Sequence, residues 1–287
     1  MRIAVLGSRG QLGAAVVHEC SAHHQVVALD RAALDLTDPV AVERVLAPLE
    51  PEVIVNCAGY NAVDAAEDHP VDALAANAFA VRTLARLAVA RDAWLIHYSS
   101  DFVFDGETDR PYTEEDRPNP HSVYAASKML GEWFAADAPH SYVVRVESLF
   151  GRAPGGRPPK GSAAAMLRAL AAGEEASVFE DRTVSPTYVV DAARATRALL
   201  ERRPPAGLYH CVNSGCCTWL EFAREAARRL GVEPRLRAVR MADVPMRATR
   251  PRYCALSNAK LAAAGISMPS WQEALGKHLE EGKVGTM

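Results

Sequence analysis

Short apolar runs alternate with longer segments of helical spacing through the first half of the chain. Five of the apolar runs are bounded by turn residues and predict buried strands, at Arg2–Leu6, Val26–Leu29, Val53–Asn56, Trp94–Ser99 and Tyr142–Val146. The segments between them contain few helix breakers and predict helices, at Gln11–Cys20, Pro39–Leu49, Val71–Arg91 and Tyr124–Ala136. This alternation is typical of a parallel sheet covered by helices on both faces. We therefore predict an α/β fold with a doubly wound parallel sheet.

After residue 150 the alternation becomes a less regular, mixed tail. A loop rich in proline and glycine occupies residues 152–161. Beyond it the pattern predicts helices at Ser162–Ala172, Asp191–Arg202 and Trp219–Leu230, and strands at Ala176–Glu180, Gly207–Val212 and Leu236–Val239. We expect a larger domain built from residues 1–150 and 181–207. Residues 151–180 and 208–287 should then form a smaller mixed α/β lobe that interleaves with it.

The composition is that of an ordinary globular chain. Hydrophobic residues make up 49% of the 287 residues and charged residues 23%, which is enough apolar material for a sizeable core. The formal net charge of −3 provides no excess of positive charge of the kind that binds nucleic acid. No run approaches the ~18 consecutive apolar residues that span a bilayer, and the apolar start of the chain meets Gly7 too early for a signal peptide. We therefore expect a cytoplasmic protein that binds neither nucleic acid nor membrane.

The cysteines give no sign of a metal site. They stand at Cys20, Cys57, Cys211, Cys216, Cys217 and Cys254, without a C-x-x-C pair or a histidine-rich spacing. We expect them to be reduced and to behave mainly as small hydrophobic side chains.

A glycine-rich turn follows the first predicted strand directly. Gly7, Gly10 and Gly13 have the spacing G-x-x-G-x-x-G, with Gln11 and Leu12 inside the turn. In such a turn the first glycine permits the reversal, the second lets the backbone approach a pyrophosphate, and the third allows close packing of helix on strand. The amides at the start of the helix then face the phosphate. We therefore interpret the larger domain as a Rossmann-type dinucleotide-binding domain and the smaller lobe as substrate-binding.

Further candidates for cofactor contacts follow the second and third predicted strands. Asp30 ends the second strand, where an acidic group accepts hydrogen bonds from the adenine-side ribose of NAD. Arg31 follows immediately and could pair with the 2′-phosphate of NADP, so NADPH and NADH both stay open. The other candidates are Asp35, Leu36, Cys57, Ala58, Gly59 and Tyr60.

Candidate catalytic residues lie on the fourth predicted helix and at the end of the fourth strand. Tyr124 and Lys128 form a Y-x-x-x-K pair on one helical face, although a surface i, i+4 contact has the same spacing. A tyrosine can donate a proton to a forming alkoxide, and a nearby ammonium favours the phenolate, so we expect Lys128 to lower the pKa of Tyr124. The fourth strand ends in Tyr98-Ser99-Ser100-Asp101, at the edge where doubly wound sheets bind ligands. Ser100 can there hydrogen-bond a substrate carbonyl.

With these motifs in place, the chain resembles the extended short-chain dehydrogenase/reductases, and within them the dTDP-4-dehydrorhamnose reductase family. The resemblance runs almost from end to end. Two segments carry it most specifically, Ala62-Val63-Asp64-Ala65-Ala66-Glu67 and Asp101-Phe102-Val103-Phe104-Asp105-Gly106. Other matching segments are Gly7–Gly13, Asp35–Pro39, Val53–Ala58, Asn77-Ala78, Val123-Tyr124, Ser127-Lys128, Gly131-Glu132 and Ser185-Pro186-Thr187.

The resemblance implies NAD(P)H-dependent reduction of the 4-keto group of a nucleotide-linked 4-keto-6-deoxy sugar, most simply a dTDP sugar. It implies that Tyr124 is the proton donor, that Lys128 holds the nicotinamide ribose, and that Tyr98 belongs to the cofactor site. The residues that it places around the sugar are Ser100, Asp101, Ser148, Arg182 and Arg250. We also consider a homodimer.

Two places depart from the family pattern near the expected sugar pocket. Family members commonly have Arg-x-Ser-Trp after the fifth strand, whereas this chain has Arg145-Val146-Glu147-Ser148 and lacks the aromatic wall at Ser148. An Asp-Gln pair is usual where this chain has Asp181-Arg182. The identity of the sugar therefore stays open. Some relatives bind a metal through interface carboxylates, but no set of residues in this chain has a spacing that predicts one.

Two alternative hypotheses remain. An epimerase or dehydratase that retains its NAD would share the glycine turn and the Y-x-x-x-K pair, and would differ in not consuming the cofactor. A non-catalytic relative that binds the cofactor as a regulatory subunit is the second. The presence of Tyr124, Lys128 and Ser100 argues against it, because such a subunit has no chemical need for them.

Overall fold

Six parallel strands form the central sheet of the protein. The computed structural model describes residues 1–284. In the described residues there are twelve strands in chain order, of which the large sheet takes six: β1 (Arg2–Leu6), β2 (Gln25–Leu29), β3 (Val53–Asn56), β4 (Trp94–Ser100), β5 (Ser141–Val146), β6 (Leu149–Phe150), β7 (Ala176–Phe179), β8 (Thr183–Val184), β9 (Thr187–Tyr188), β10 (Gly207–His210), β11 (Cys217–Thr218) and β12 (Leu236–Val239). The large sheet has the order β10-β5-β4-β3-β1-β2. Because β2 and β3 lie on opposite sides of β1, the carboxyl ends of β1 and β3 border a crevice of the kind that binds ligands in such sheets.

Helices cover both faces of this sheet. They are α1 (Gln11–Ser21), α2 (Pro39–Leu46), α3 (Val63–Asp68), α4 (Pro70–Leu74), α5 (Ala80–Ala90), α6 (Val123–Ala136), α7 (Ser162–Ala172), α8 (Val189–Arg202), α9 (Trp219–Leu230), α10 (Ala259–Ala263) and α11 (Trp271–Val284). Apolar side chains of α1 and α8 pack on one face, and those of α2, α5 and α6 on the other. The prediction of a doubly wound parallel sheet is confirmed.

The segment predicted as one helix, Val71–Arg91, is interrupted. It consists of α4, a π-helical turn at Ala75–Phe79 and α5. The run Pro70–Ala90 is long and apolar enough to cross a membrane by length and composition alone, but half of its most apolar window is buried inside the protein. There α5 packs against α2 and α6, and a core helix of this kind meets the same criterion.

A second core lies between α7, α9 and α11 and the two-stranded sheet of β7 and β12. We expected residues 208–287 to belong wholly to this smaller lobe. The structure differs at β10, which pairs with β5 at the edge of the large sheet. Cys211 and Met268 likewise pack with α1 and α8. The physical reason is that α8 covers the large sheet and returns the chain to its edge, as a right-handed crossover does.

Candidate active site

The carboxyl end of β4 meets the first turns of α6. Ser122 caps α6 by accepting a hydrogen bond from the amide of Ala125, so that Tyr124 stands in the first turn. Tyr124 and Lys128 are only 8% and 4% exposed, so the pair is not a surface contact. Lys128 Nζ donates a hydrogen bond to the carbonyl oxygen of Tyr98 on β4, at 2.5 Å. A buried ammonium therefore connects the helix to the strand.

Burial controls the protonation of both side chains. It raises the pKa of Tyr124 to about 12, although the neighbouring hydroxyl of Ser100 opposes the rise. Burial also lowers the pKa of Lys128 to about 8, against the attraction of Glu132. The expectation that Lys128 lowers the pKa of Tyr124 is therefore wrong for this structure, because the loss of water around the phenol dominates and the ammonium points at a carbonyl. At neutral pH the phenol keeps its proton.

Ser100 is the last residue of β4 and lies opposite Val146 of β5. Its hydroxyl donates to Oδ1 of Asp101 at 2.8 Å and accepts from the amide of Phe102 at 3.3 Å. The ring of Phe102 meets the ring of Tyr124 edge-on, with centroids 5.5 Å apart. The structure thus brings Tyr124, Ser100 and Asp101 together at one edge of the sheet.

Asn77 joins the end of β3 to α6. Its Oδ1 accepts from the amide of Tyr60 at 2.8 Å, and its Nδ2 donates to the carbonyl of Tyr60 at 3.0 Å and to Oγ of Ser127 at 2.9 Å. Asn77 lies in the π-helical turn, and such turns are frequent at functional sites. Sequence reasoning assigned it no role. A lone amide within the apolar segment 71–91 is the signal that could have identified it.

The glycine turn has backbone positions that exclude side chains. Gly7 has a φ of +72°, and a Cβ there would lie 2.8 Å from the amide nitrogen of Ala58. A Cβ at Gly13 would lie 2.2 Å from the carbonyl oxygen of Gly7, whereas one at Gly10 would meet only that oxygen, at 3.1 Å. Gly10 is the N-cap of α1 and has no side chain to bond the first amides of the helix. Those amides, which include Gln11 and Leu12, are therefore available to a phosphate, and the turn fits a pyrophosphate.

The side chain of Gln11 is engaged within the protein. Its Nε2 donates to the carbonyl of Gly151 at 2.8 Å, and the amide of Arg157 donates to the carbonyl of Arg9 at 3.0 Å. These contacts hold the Pro- and Gly-rich loop against the glycine turn. The side-chain nitrogen of Gln11 therefore holds this loop, while its backbone amide is at the start of α1.

Asp30 is held by its own turn and by the glycine turn. Its Oδ1 accepts from the amides of Ala32 and Ala33, and its Oδ2 lies 3.6 Å from Nη1 of Arg9. These hydrogen bonds lower the pKa of Asp30, that from Ala33 most strongly. Arg31 is exposed beside it. The guanidinium of Arg9 therefore pairs with the carboxylate of Asp30, whereas that of Arg31 acts on the carboxylate of Asp35.

Two further candidates, Asp35 and Leu36, lie in the loop after β2. Asp35 is exposed and accepts hydrogen bonds from the amide and hydroxyl of Thr37. Leu36 is half-buried against the core on the α2 face.

The segment after β3 connects the glycine turn to Lys128. Ala58 packs against Gly7, and a Cβ at Gly59 would lie 2.8 Å from Oδ1 of Asn77 and 3.9 Å from Nζ of Lys128. Cys57, which precedes them, has a thiol whose pKa is raised by burial. A ligand that crosses this edge of the sheet therefore extends from the turn to Lys128.

Tyr98 contributes a backbone carbonyl to the site and no side chain. Its ring belongs to the core on the α1 and α8 face, and its hydroxyl is hydrogen-bonded to Thr196 of α8. The expected cofactor contact is therefore restricted to the main chain.

A buried cluster of ionisable groups lies behind Ser100. Asp101, Glu147, Arg182 and Cys254 are 3%, 1%, 8% and 0% exposed. One oxygen of each carboxyl group and the Sγ of Cys254 lie within 4.8 Å of one another. Nη2 of Arg182 is 3.5 Å from the same sulfur. Asp101 and Arg182 were named from the sequence, but Glu147 was noted only as part of a departure from the family pattern and Cys254 had no motif to mark it.

The two remaining substrate candidates are Ser148 and Arg250. Ser148 has a φ of +45°, and its hydroxyl is 3.5 Å from Oε1 of Glu147. Arg250 donates to both carboxylate oxygens of Asp64 on α3, at 2.9 and 2.6 Å. This pairing lowers the pKa of Asp64 to about 2. Arg250 therefore ties the C-terminal segment to α3.

Comparison with known proteins places the whole chain in one family. The family model for the RmlD substrate binding domain matches residues 1–284. A dTDP-4-dehydrorhamnose reductase of Mycobacterium tuberculosis is 36% identical over 287 residues, covering 97% of this chain and 92% of the relative. A probable dTDP-4,6-dihydroxy-2-methyloxan-3-one 4-ketoreductase of Streptomyces antibioticus is 34% identical and covers 96% and 93%.

Comparison with a solved structure points to the same family. The dTDP-4-dehydrorhamnose reductase of Bacillus anthracis, in complex with NADP, is 31% identical, covers 98% of this chain and 99% of its own, and superposes with a TM-score of 0.91. The fold, the match along the chain and the identities above 30% agree. The chain belongs to the RmlD substrate binding domain family, that of the dTDP-4-dehydrorhamnose reductases.

Proposed function

We propose that this protein reduces the 4-keto group of a nucleotide-linked 4-keto-6-deoxy sugar, most simply a dTDP sugar, with NAD(P)H. The observation that carries the proposal is the joint burial of Tyr124 and Lys128 at the end of β4, two strands from the glycine turn. A positioned acid beside a dinucleotide site is what ketone reduction requires. The activities named for the relatives in M. tuberculosis and S. antibioticus support the same substrate class.

The residues of this chain suit the two halves of the cofactor. The amides of α1 would bind the pyrophosphate, and Lys128, beside Gly59, would hold the nicotinamide ribose. When bound, the reduced nicotinamide supplies a hydride to the ketone carbon. Because Arg9 pairs with the carboxylate of Asp30 and the exposed Arg31 follows it in the chain, the arrangement favours NADPH over NADH.

Tyr124 supplies the proton. Negative charge develops on the ketone oxygen as the hydride arrives, and a phenol with a pKa of about 12 is still protonated when it is needed. Ser100 would orient the ketone by a hydrogen bond. Lys128, whose pKa is about 8, is largely an ammonium at pH 7, the form that would hold the nicotinamide ribose.

The test is an anaerobic panel of dTDP-, UDP- and GDP-linked 4-keto-6-deoxy sugars with NADPH and with NADH. The loss of reduced-cofactor absorbance is compared with the amount of alcohol formed. We expect one cofactor to be consumed for each sugar reduced. Conversion of a sugar without net cofactor loss would instead indicate an epimerase or dehydratase. Cofactor binding without any conversion would indicate a non-catalytic relative.

A further inference from the structure

Asp101 and Glu147 form a carboxyl pair directly behind the proposed catalytic residues. The register of β4 on β5 sets Ser100 opposite Val146, so the next residue of each strand end is one of the two acids. Oδ1 of Asp101 accepts from Ser100, while Oδ2 is buried and has no hydrogen-bond partner within residues 1–284. Oε2 of Glu147 accepts from the amide of Ser185 at 2.6 Å. The pair thus joins Ser100 on one side and the β8–β9 connection on the other.

The pair cannot keep both negative charges. Burial raises the pKa of Asp101, and burial together with repulsion by Asp101 raises the pKa of Glu147 well above its usual range. One guanidinium, that of Arg182, is the compensating cation. The other ionisable groups that act on the pair or are acted on by it are Cys254, Cys217, Tyr253 and Tyr124. Two carboxyl groups that face one cation in a buried site share one proton, because the single cation compensates only one negative charge.

The cluster is better suited to a proton than to a metal ion. Asp101, Glu147 and Cys254 could offer three ligand atoms. However, the guanidinium of Arg182 already contacts the sulfur and supplies the positive charge that a metal ion would bring. Burial also raises the pKa of the Cys254 thiol well above its usual range, so that it is not a thiolate ligand at neutral pH.

We propose that the proton shared by Asp101 and Glu147 restores the phenol of Tyr124 after each reduction, through the hydroxyl of Ser100. This inference rests on the proposed function. In the reduction, the O–H bond of Tyr124 breaks and that of the product alcohol forms. Ser100 then gives its hydroxyl proton to the phenolate and takes a proton from Asp101, and Asp101 is resupplied by Glu147, directly or across one water. Glu147 regains a proton from solvent after the product leaves, so the protein shows no net change.

The decisive measurement separates the first turnover from the later ones. The first reduction uses the proton that Tyr124 already carries, whereas each later one needs a new proton. Glu147→Gln keeps an acceptor for the Ser185 amide but removes the proton store. We expect rapid-mixing kinetics to show a first turnover at the wild-type rate, followed by a steady state slower by about 10²-fold, the lower end for positioned proton transfer.

Matched variants distinguish this role from a structural one. Glu147→Asp retains a carboxyl group and should recover most of the steady-state rate. Glu174→Gln removes an exposed carboxyl from the same lobe and should behave as wild type. Equal slowing of the first and later turnovers in Glu147→Gln would overturn the proposal in favour of a packing role. An unchanged steady state would overturn it as well.

A second measurement needs neither substrate nor a folded variant. Wild-type protein labelled with ¹³C in its glutamate carboxyl groups should show, in the infrared at neutral pH, a protonated carboxyl band that shifts with the label. Absence of that band would overturn the proposal even if the enzyme reduces keto sugars normally. Presence of the band in a protein that reduces no keto sugar would refute the proposed function while leaving the shared proton in place.

Discussion

Replacing Lys128 by methionine should stabilise the cofactor-free protein, or leave its stability unchanged, while it impairs reduction. Lys128 is 4% exposed, and burial lowers its pKa from 10.5 to about 8. At about pH 7 the lysine is protonated in the folded and the unfolded state, so the folded state bears the full cost of the buried ammonium, about 3 kcal/mol. Methionine fills a similar volume but leaves the carbonyl of Tyr98 without its donor, which costs about 1–3 kcal/mol. The net gain at this pH is therefore about 0–2 kcal/mol.

The pH dependence isolates the effect of the charge. A lysine whose pKa is lowered in the folded state destabilises most at low pH, and the penalty fades as the pH rises from about 8 towards 10.5. Between about pH 7 and about pH 9.5 the wild type should gain about 2 kcal/mol relative to Lys128→Met. The cost of the unpaired carbonyl cancels in this difference.

The assay is urea unfolding of both cofactor-free proteins at the two pH values. Lys260→Met, which removes an exposed ammonium, controls for the loss of one positive charge. If the unfolding free energies of wild type and Lys128→Met ran parallel with pH, Lys128 would not be a desolvated ammonium and the reasoning would be refuted. In the same variant, cofactor affinity measured by fluorescence titration should fall, because the proposed contact to the ribose is lost.

The other predictions concern the cofactor and the reaction. Tyr124→Phe should lower kcat by ~10²–10⁴-fold in steady-state kinetics on an accepted keto sugar, with cofactor affinity retained. Ser100→Ala should lower kcat less. A near-native kcat for Tyr124→Phe would exclude Tyr124 as the acid. Gly10→Val should abolish cofactor binding in calorimetry while the circular dichroism spectrum stays native. The reason is that a Cβ at Gly10 contacts only the carbonyl oxygen of Gly7, whereas the side chain occupies the proposed pyrophosphate position. Unchanged cofactor affinity would contradict the assignment of the glycine turn to the pyrophosphate. Arg31→Ala should weaken NADPH more than NADH in the same titration, and equal losses would mean that its guanidinium faces only solvent.

The sheet could be predicted from the sequence because each of its first five strands is a short apolar run between turn residues. The structure keeps each of those strands within one residue of its predicted bounds. The interruption at Ala75–Phe79 was not predictable in the same way, since one π-helical turn changes neither composition nor overall spacing. The strand β10 was predicted near its observed bounds, but its partner was not, because pairing with β5 depends on contacts distant in sequence.

The candidate site was predictable in residue types and not in protonation. A spacing of i, i+4 places Tyr124 and Lys128 on one helical face, but it says nothing about the direction of Nζ or the loss of water. The direction of Nζ and the loss of water are both decided by the packing of α6 on β4, where the carbonyl of Tyr98 accepts a hydrogen bond from the ammonium of Lys128. The predicted direction of the pKa shift of Tyr124 therefore failed even though the residues themselves come together.

Two residues at which the chain departs from the family pattern, Glu147 and Arg182, lie together in the structure. In the sequence they belong to two separate departures, and the missing aromatic wall is at Ser148. The register of β4 on β5 instead brings Glu147 beside Asp101, and Arg182 supplies the cation that such a pair of acids requires. Without Arg182, Glu147 would add a second carboxyl group beside the buried Asp101 with no cation to compensate the pair, which is costly. Glu147 therefore depends on Arg182, and neither residue can be interpreted as a sugar contact without the other.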